Sequence, residues 1–281
     1  MKIAISVEST NDLSKDLINK YDIKVIPFQI VLNDLNFTDG KYTNPELFEL
    51  VEKYNSLPKT TALNEFEYTE YFNGLLKDYD AVVHLSMSSG ISSSCGNAIR
   101  AASNMQNVYA VDSLSLTTGI GSLAIYAREL ADEGKSPQEI ADLVTARIKN
   151  LQVSFVVERL DFLHKGGRCN SLQLLGANLL KIRPRIVLKD GKMSTDKKYK
   201  GHMGSVVAKY AADLFAEYNT PDLTRVFITY SSATEEMITA AVKACEEMGF
   251  KEIYQTVTGG TVASHCGANT LGIVFFADGK Q

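Results

Sequence analysis

A chain of 281 residues with 45% apolar side chains can bury a substantial core, and its formal net charge of −4 leaves no basic footprint for nucleic acid. No segment approaches the length of a membrane span and the amino-terminal apolar run is too short for a signal peptide, so a cytoplasmic location is expected. The cysteines at 95, 169, 245 and 266 form no Cys-x-x-Cys pair and no two histidines sit at a metal-ligand spacing, so neither a metal site nor a redox motif is expected.

Residues 2–7 read as a buried first strand that ends in the polar turn Glu8-Ser-Thr-Asn-Asp12, followed by a helix over 14–20. Residues 24–32 form the next strand, bent or at a sheet edge because of Pro27, and Asn44-Pro45 opens a helix to about residue 54. Pro58-Lys-Thr-Thr-Ala62 is a polar loop, and Asn64-Glu-Phe-Glu67 has the form of a capping box for a helix ending near 77. A strand over 81–85 then runs into Ser86-Met-Ser-Ser-Gly-Ile-Ser-Ser-Ser94, with a helix beginning near Ser92 and reaching about 104. A strand over 107–112, a link over 113–118 and a helix rich in Gly, Ala and Leu follow, and Ser136-Pro-Gln-Glu139 starts a helix to about 150. This alternation predicts an open, mostly parallel sheet with helices on both faces, in which ligands bind outside the carboxyl ends of the strands. The hydroxyl-rich turns at 8–12, 86–94 and 112–118 are expected on one rim.

Beyond residue 150 the pattern changes. A strand over 154–158, a helical turn at 160–164 and the basic loop Lys165-Gly-Gly-Arg168 precede an apolar helix over 171–182. Asp190-Gly191, between apolar-polar runs at 185–189 and 192–199, predicts a hairpin with a type I′ turn and hence an antiparallel component. A helix over 202–217, a strand over 225–230, a helix opened by Ser232-Ala-Thr-Glu235, a strand over 251–257, the Gly259-Gly260 loop and a strand over 271–276 complete the chain. The expected fold class is α/β: an N-terminal domain, 1–150, with a mostly parallel sheet and helices on both faces, and a C-terminal α+β domain, 151–281, with a mixed sheet.

The serine stretch 86–94 lies at a strand-to-helix turn, where free backbone N–H groups, the helix dipole and rotatable hydroxyls suit a small anion. It contains no Lys or Arg and lacks the Gly-x-x-x-x-Gly-Lys-Ser/Thr pattern, which favours a carboxylate over a polyphosphate. On this stretch alone the plainer account, an N-cap with spare serines, has the better claim. His265 lies among small and polar residues between Gly259-Gly260 and Gly267, a setting that suits donation to a carboxylate or proton transfer as well as a structural role. Arg168, after two glycines, suits bidentate contact with carboxylate or phosphate; a solvated basic turn is the simpler account. Ser92, His265 and Asp112 can be cast as a hydrolytic triad, but no Gly-x-Ser-x-Gly elbow supports it.

Taken together, these segments resemble the DegV family of bacterial fatty-acid-binding proteins almost end to end. The resemblance rests on Glu8-Ser-Thr-Asn-Asp-Leu13, with Glu where the family has Asp; Pro58-Lys-Thr-Thr-Ala-Leu-Asn64; Ser88-Ser-Gly-Ile-Ser-Ser-Ser94, with Ser93 for a glycine; Val111-Asp-Ser113; Lys165-Gly-Gly-Arg168; Lys181-Ile-Arg-Pro184; and Ser264-His-Cys-Gly267, with Ala268 for a proline. The resemblance implies two α/β domains, a buried acyl chain, and a carboxylate held by Thr61, Thr60 and Ser92, with His265 near the head group. It implies Arg168, Lys198 and Lys200 as residues facing the head group or a partner. It further implies a carrier that takes a long-chain fatty acid at the membrane surface, holds no cofactor, and presents the carboxylate to a separate fatty acid kinase that forms the acyl phosphate. The alternatives are a serine hydrolase acting on acyl esters and a binding protein for another small carboxylate.

Overall fold

The computed structural model describes residues 1–169 and 182–279; all but the last residue of the predicted apolar helix over 171–182, and Lys181 of Lys181-Ile-Arg-Pro184, lie outside the described residues. In chain order the first half contains β1 (Ile3–Glu8), a 3₁₀ turn (Ser9–Asn11), α1 (Lys15–Lys20), β2 (Ile23–Ile26), β3 (Gln29–Leu32), β4 (Leu35–Thr38), α2 (Asn44–Tyr54), β5 (Lys59–Thr61), α3 (Glu65–Leu75), β6 (Ala81–Ser86), α4 (Ser94–Ser103), β7 (Val108–Asp112), α5 (Thr118–Asp132), α6 (Pro137–Arg147) and a second 3₁₀ turn (Ile148–Asn150). The second half contains β8 (Leu151–Val156), α7 (Asp161–Gly166), β9 (Arg183–Lys189), β10 (Lys192–Tyr199), α8 (Met203–Glu217), β11 (Arg225–Ser232), α9 (Glu235–Met248), β12 (Glu252–Val257), α10 (Gly260–Cys266) and β13 (Thr270–Phe276).

Among the described residues three sheets form. Strands β2-β1-β6-β7 make a wholly parallel sheet, and β10-β9-β8-β13-β11-β12 a mixed one whose β11-β12 pair is parallel and whose other pairs are antiparallel. The third, β4-β3-β5, is a small antiparallel sheet that the sequence did not suggest. The single strand expected over 24–32 is two, because Pro27 lacks the N–H that a continuing ladder needs, and the chain leaves the parallel sheet there. Likewise the polar loop at 58–62 contains β5, whose pairing partner is β3, about thirty residues earlier in the chain.

Strand alternation explains the layering. In β1 and β6, Ala4 and Val82 pack on Tyr68, Phe72, Ala98 and Ala102 of α3 and α4. Ile5, Val7, Val83 and Leu85 on the opposite face pack on Ile120, Leu123 and Ala124 of α5, and the same cluster continues into Val153, Phe227 and Val274 of the mixed sheet. The other face of the mixed sheet, with Ile228, Leu271 and Ile273, is covered by α8 and α9 through Val206, Tyr210, Met237 and Ala241. The small residues of α5 fit this place between two sheets: a Cβ at Gly119 would stand 2.9 Å from Val153 Cγ2, and one at Gly121 would stand 2.6 Å from Leu13 Cδ2. All strands of the parallel sheet precede residue 150 and all strands of the mixed sheet follow it, yet one apolar cluster spans both.

Candidate functional site

In the strand order β2-β1-β6-β7 the connections run one way from β1 to β2 and the other way toward β6, so the crevice beyond the carboxyl ends of β1 and β6 is the switch point where open α/β sheets take ligands. A cavity of about 240 Å³ opens there, near the roughly 300 Å³ lower end of ligand pockets. The three hydroxyl-rich turns meet in it: Thr10 from the first, Met87, Ile91, Ser92 and Ser93 from the second, and Leu116 from the third. The remaining wall is mostly apolar, with Phe28, Phe155, Leu163, Met193 and Val262, and a pocket of about 30 Å³ adjoins it through Leu116, Phe155, Val262 and Cys266. A larger groove of about 1130 Å³ lies between β7, α6 and the β9-β10 hairpin, but its walls carry Asp142, Lys149, Lys189, Asp190, Asp196 and Glu217, which suit water and not an acyl chain.

The serine turn is held from below by Glu8, a wholly buried carboxylate at the end of β1. Its Oε2 accepts the Met87 N–H at 2.7 Å and its Oε1 the Tyr68 hydroxyl at 2.6 Å, and Tyr68 Oη lies 2.6 Å from Ser94 Oγ at the start of α4. Glu8 thus ties both ends of the loop. The buried His84 on β6 completes the layer, 2.9 Å from Ser6 Oγ and 3.6 Å from Glu8 Oε1. The helix starts at Ser94, two residues later than expected, and Ser92 Oγ accepts the Ser94 N–H at 3.1 Å. That bond uses a lone pair and leaves the Ser92 hydroxyl proton free for an acceptor in the cavity.

His265 lies on the short helix α10, not in a loop as its surroundings in the sequence suggested. Its Nε2 is 2.9 Å from Thr60 Oγ1, and burial, reinforced by the Arg168 charge, lowers its imidazole from 6.5 to about 4. A neutral ring protonated on Nε2 donates to Thr60 and leaves the threonine proton for a ligand. Two carboxylates fix α10 in place. Asp12 Oδ1 accepts the Gly259 N–H at 2.7 Å and Oδ2 the Thr117 hydroxyl, while Asp39 accepts Ser9 Oγ at 2.8 Å and the Thr261 N–H at 3.3 Å. Burial pushes the Asp12 carboxyl well above the usual carboxylate range.

The profile of the DegV family matches residues 2–278. This chain belongs to the DegV family. The protein DegV of Bacillus subtilis is 29% identical over 287 residues, covering 97% of this chain and 98% of its own. Among solved structures, a DegV family protein of Thermus thermophilus, described by its fatty acid binding, superposes with a TM-score of 0.90 at 25% identity over 98% of this chain and 99% of its own. DegV of Bacillus subtilis, a fatty acid binding protein, superposes with a TM-score of 0.85 at 27% identity, again over 98% and 99%. The α/β architecture with a parallel and a mixed sheet is therefore that of the DegV family.

Of the residues carried over from the family, Thr60, Ser92, His265 and Arg168 line the cavity together. Thr61 does not: β5 alternates, so with Thr60 turned to the cavity its neighbour is exposed on the other face. Lys198 and Lys200 are exposed at the outer end of β10, away from the cavity wall. The Ser92-His265-Asp112 relay is not assembled, because His265 is bonded to Thr60 and Asp112 accepts the backbone N–H groups of Ser89 and Leu114. Sequence reading missed Glu8 as a brace, Asp12 and Asp39 as the ties of α10, and Thr10 and Thr261 as lining residues. Glu8 and Asp12 stood in a recognised motif, but their partners are 60 to 247 positions away.

Proposed function

We propose that the cavity binds one long-chain fatty acid, with the carboxylate at Thr60 and Ser92 and the chain running between Phe28, Phe155, Leu163 and Val262. The observation that carries this reading is the union of a mostly apolar wall with a cluster of neutral hydroxyl donors at one place. Burying methylenes at about 0.8 kcal/mol each yields on the order of 10 kcal/mol for a long chain before ordering costs. Each hydrogen bond to the carboxylate adds roughly 1.5–3 kcal/mol, and neutral donors supply it without a buried cation that needs its own partner. The fatty acid binding of the Thermus thermophilus and Bacillus subtilis relatives supports the same ligand.

The finer part of the proposal is a carrier role. The protein takes the acid from the membrane surface and presents its carboxylate to a separate ATP-dependent kinase, then carries the acyl phosphate away. Thr60 and Ser92 hold the carboxylate, His265 orients Thr60, and the exposed Arg168 meets the partner or the incoming phosphoryl group; Lys198 and Lys200 extend the docking surface. The exposure of Ser93 and Arg168 at the cavity supports a head group reachable from outside. Delipidated wild-type protein should take up fatty acid in a lipid-exchange assay, and a Thr60→Val, Ser92→Ala variant should not retain it. Equal retention by the two refutes the assignment of the head group.

A further inference from the structure

Two buried hydroxyls in the cavity have no partner among the described residues. Thr10 Oγ1, in the 3₁₀ turn after β1, and Thr261 Oγ1, in the first turn of α10, both line the cavity and form no hydrogen bond among the described residues. Thr10 is 0% exposed and Thr261 3%. A buried hydroxyl left unpaired is costly, and native interiors hold few of them. Elsewhere in the chain the local remedy is in use: Ser264 donates to the Gly260 carbonyl and Ser122 to that of Thr118, one helical turn back. Thr261, at the start of its helix, has no such carbonyl within it.

The turn that carries Thr10 and the start of α10, which carries Thr261, are joined by the same carboxylates. Asp39 bridges Ser9 to the Thr261 backbone, and Asp12, at the end of the turn, accepts the Gly259 N–H just before α10. They are also more buried than Thr60, Ser92 and Ser93, which places them on the inner side of the polar cluster. A carboxylate offers about four lone-pair sites on two oxygens, and Thr60 and Ser92 donate one proton each.

We propose that Thr10 and Thr261 are further ligand-binding residues, donating to the inner oxygen of the carboxylate while Thr60 and Ser92 hold the outer one. This rests on the fatty acid reading above. The test uses the full chain, delipidated, with Thr10→Val, Thr261→Val and the double substitution, each of which removes the hydroxyl and keeps the shape. Binding of palmitic acid and of the matching alcohol is measured side by side, together with the melting temperature of the lipid-free protein. Each single variant should lose about ten-fold or more in affinity for the acid, with alcohol binding nearly unchanged and a melting temperature that does not fall, since no bond within the protein is lost.

Unchanged acid affinity in the double variant overturns the assignment. So does an equal loss for acid and alcohol, which marks a contact along the chain, or a fall in lipid-free melting temperature, which marks a partner inside the protein. Wild-type protein that takes up no palmitic acid overturns the fatty acid reading as well, whereas wild-type binding with no effect of the variants overturns this assignment alone.

Discussion

Acidification should weaken the fold through His265 by an amount that follows from its surroundings. The ring is held at about 4 in the folded protein against 6.5 for the free side chain, first by burial and then by Arg168. Between those values the unfolded chain binds a proton that the folded one refuses, so stability falls as pH drops through this window and is fully present above 6.5. The gap between 6.5 and about 4, at 1.36 kcal/mol per tenfold change in proton affinity, corresponds to a loss of about 3 kcal/mol by pH 4. Urea denaturation of lipid-free protein at pH 7 and at pH 4, compared with a His265→Gln variant, isolates this loss from that of the carboxylates. The variant, which can still donate to Thr60, should lose about 3 kcal/mol less between the two pH values. An Arg168→Ala variant should move the His265 imidazole upward in an NMR titration. If wild type and His265→Gln lose stability in parallel, the ring is not held neutral by its burial and by Arg168.

Four further outcomes follow from the same contacts. Glu8→Ala leaves the Met87 N–H and the Tyr68 hydroxyl without their acceptor and should cost about 3–5 kcal/mol by denaturant titration. Glu8→Gln can still accept from Met87 and donate to Tyr68, and should recover most of that loss. Asp12→Asn keeps a bond to both Gly259 and Thr117. Because the Asp12 carboxyl is raised by burial, wild type loses stability as pH climbs from 3.8 through its folded value, so the variant should gain on wild type between pH 4 and pH 7. Gly90→Ala drives a Cβ to 2.5 Å from the Gly191 carbonyl oxygen at the tip of the β9-β10 hairpin, and should lower stability by about 1–3 kcal/mol and loosen the Ser88-Gly191 bond. Thr61→Ala should leave fatty acid affinity within about two-fold of wild type in the lipid-exchange assay, while Thr60→Ala reduces it about ten-fold.

Local chemistry was read correctly where it suffices. The Ser136-Glu139 and Asn64-Glu67 capping boxes both form, and the Asp190-Gly191 turn has φ values of 49° and 73°, the left-handed geometry that a type I′ hairpin needs. The box read at Ser232-Glu235 was two residues early: Thr234 caps α9 by accepting the Met237 N–H, while Ser232 ends β11 and bonds to Asn269. Long-range pairing was harder to see. Lys59–Thr61 has no apolar alternation of its own and becomes a strand only because β3 offers a free edge, and that pairing decides that Thr60, and not Thr61, meets His265. The bracing acids could not be told from surface ones by type, since Glu8, Asp12 and Asp39 acquire their partners only when the turns converge. The one-rim expectation held because it follows from parallel strands alone: every such strand delivers its following turn to the same end of the sheet.

A cavity that holds an acyl chain by its carboxylate should keep that lipid through purification. Mass spectrometry of the purified protein, before and after denaturation, tests it most directly. Denaturation should release a bound species with the mass of a long-chain fatty acid, at about one per chain, that is absent from a Thr60→Val, Ser92→Ala variant prepared in the same way. A wild-type protein that releases no lipid and also takes up none when a fatty acid is supplied, or that releases a short polar carboxylate in its place, contradicts it.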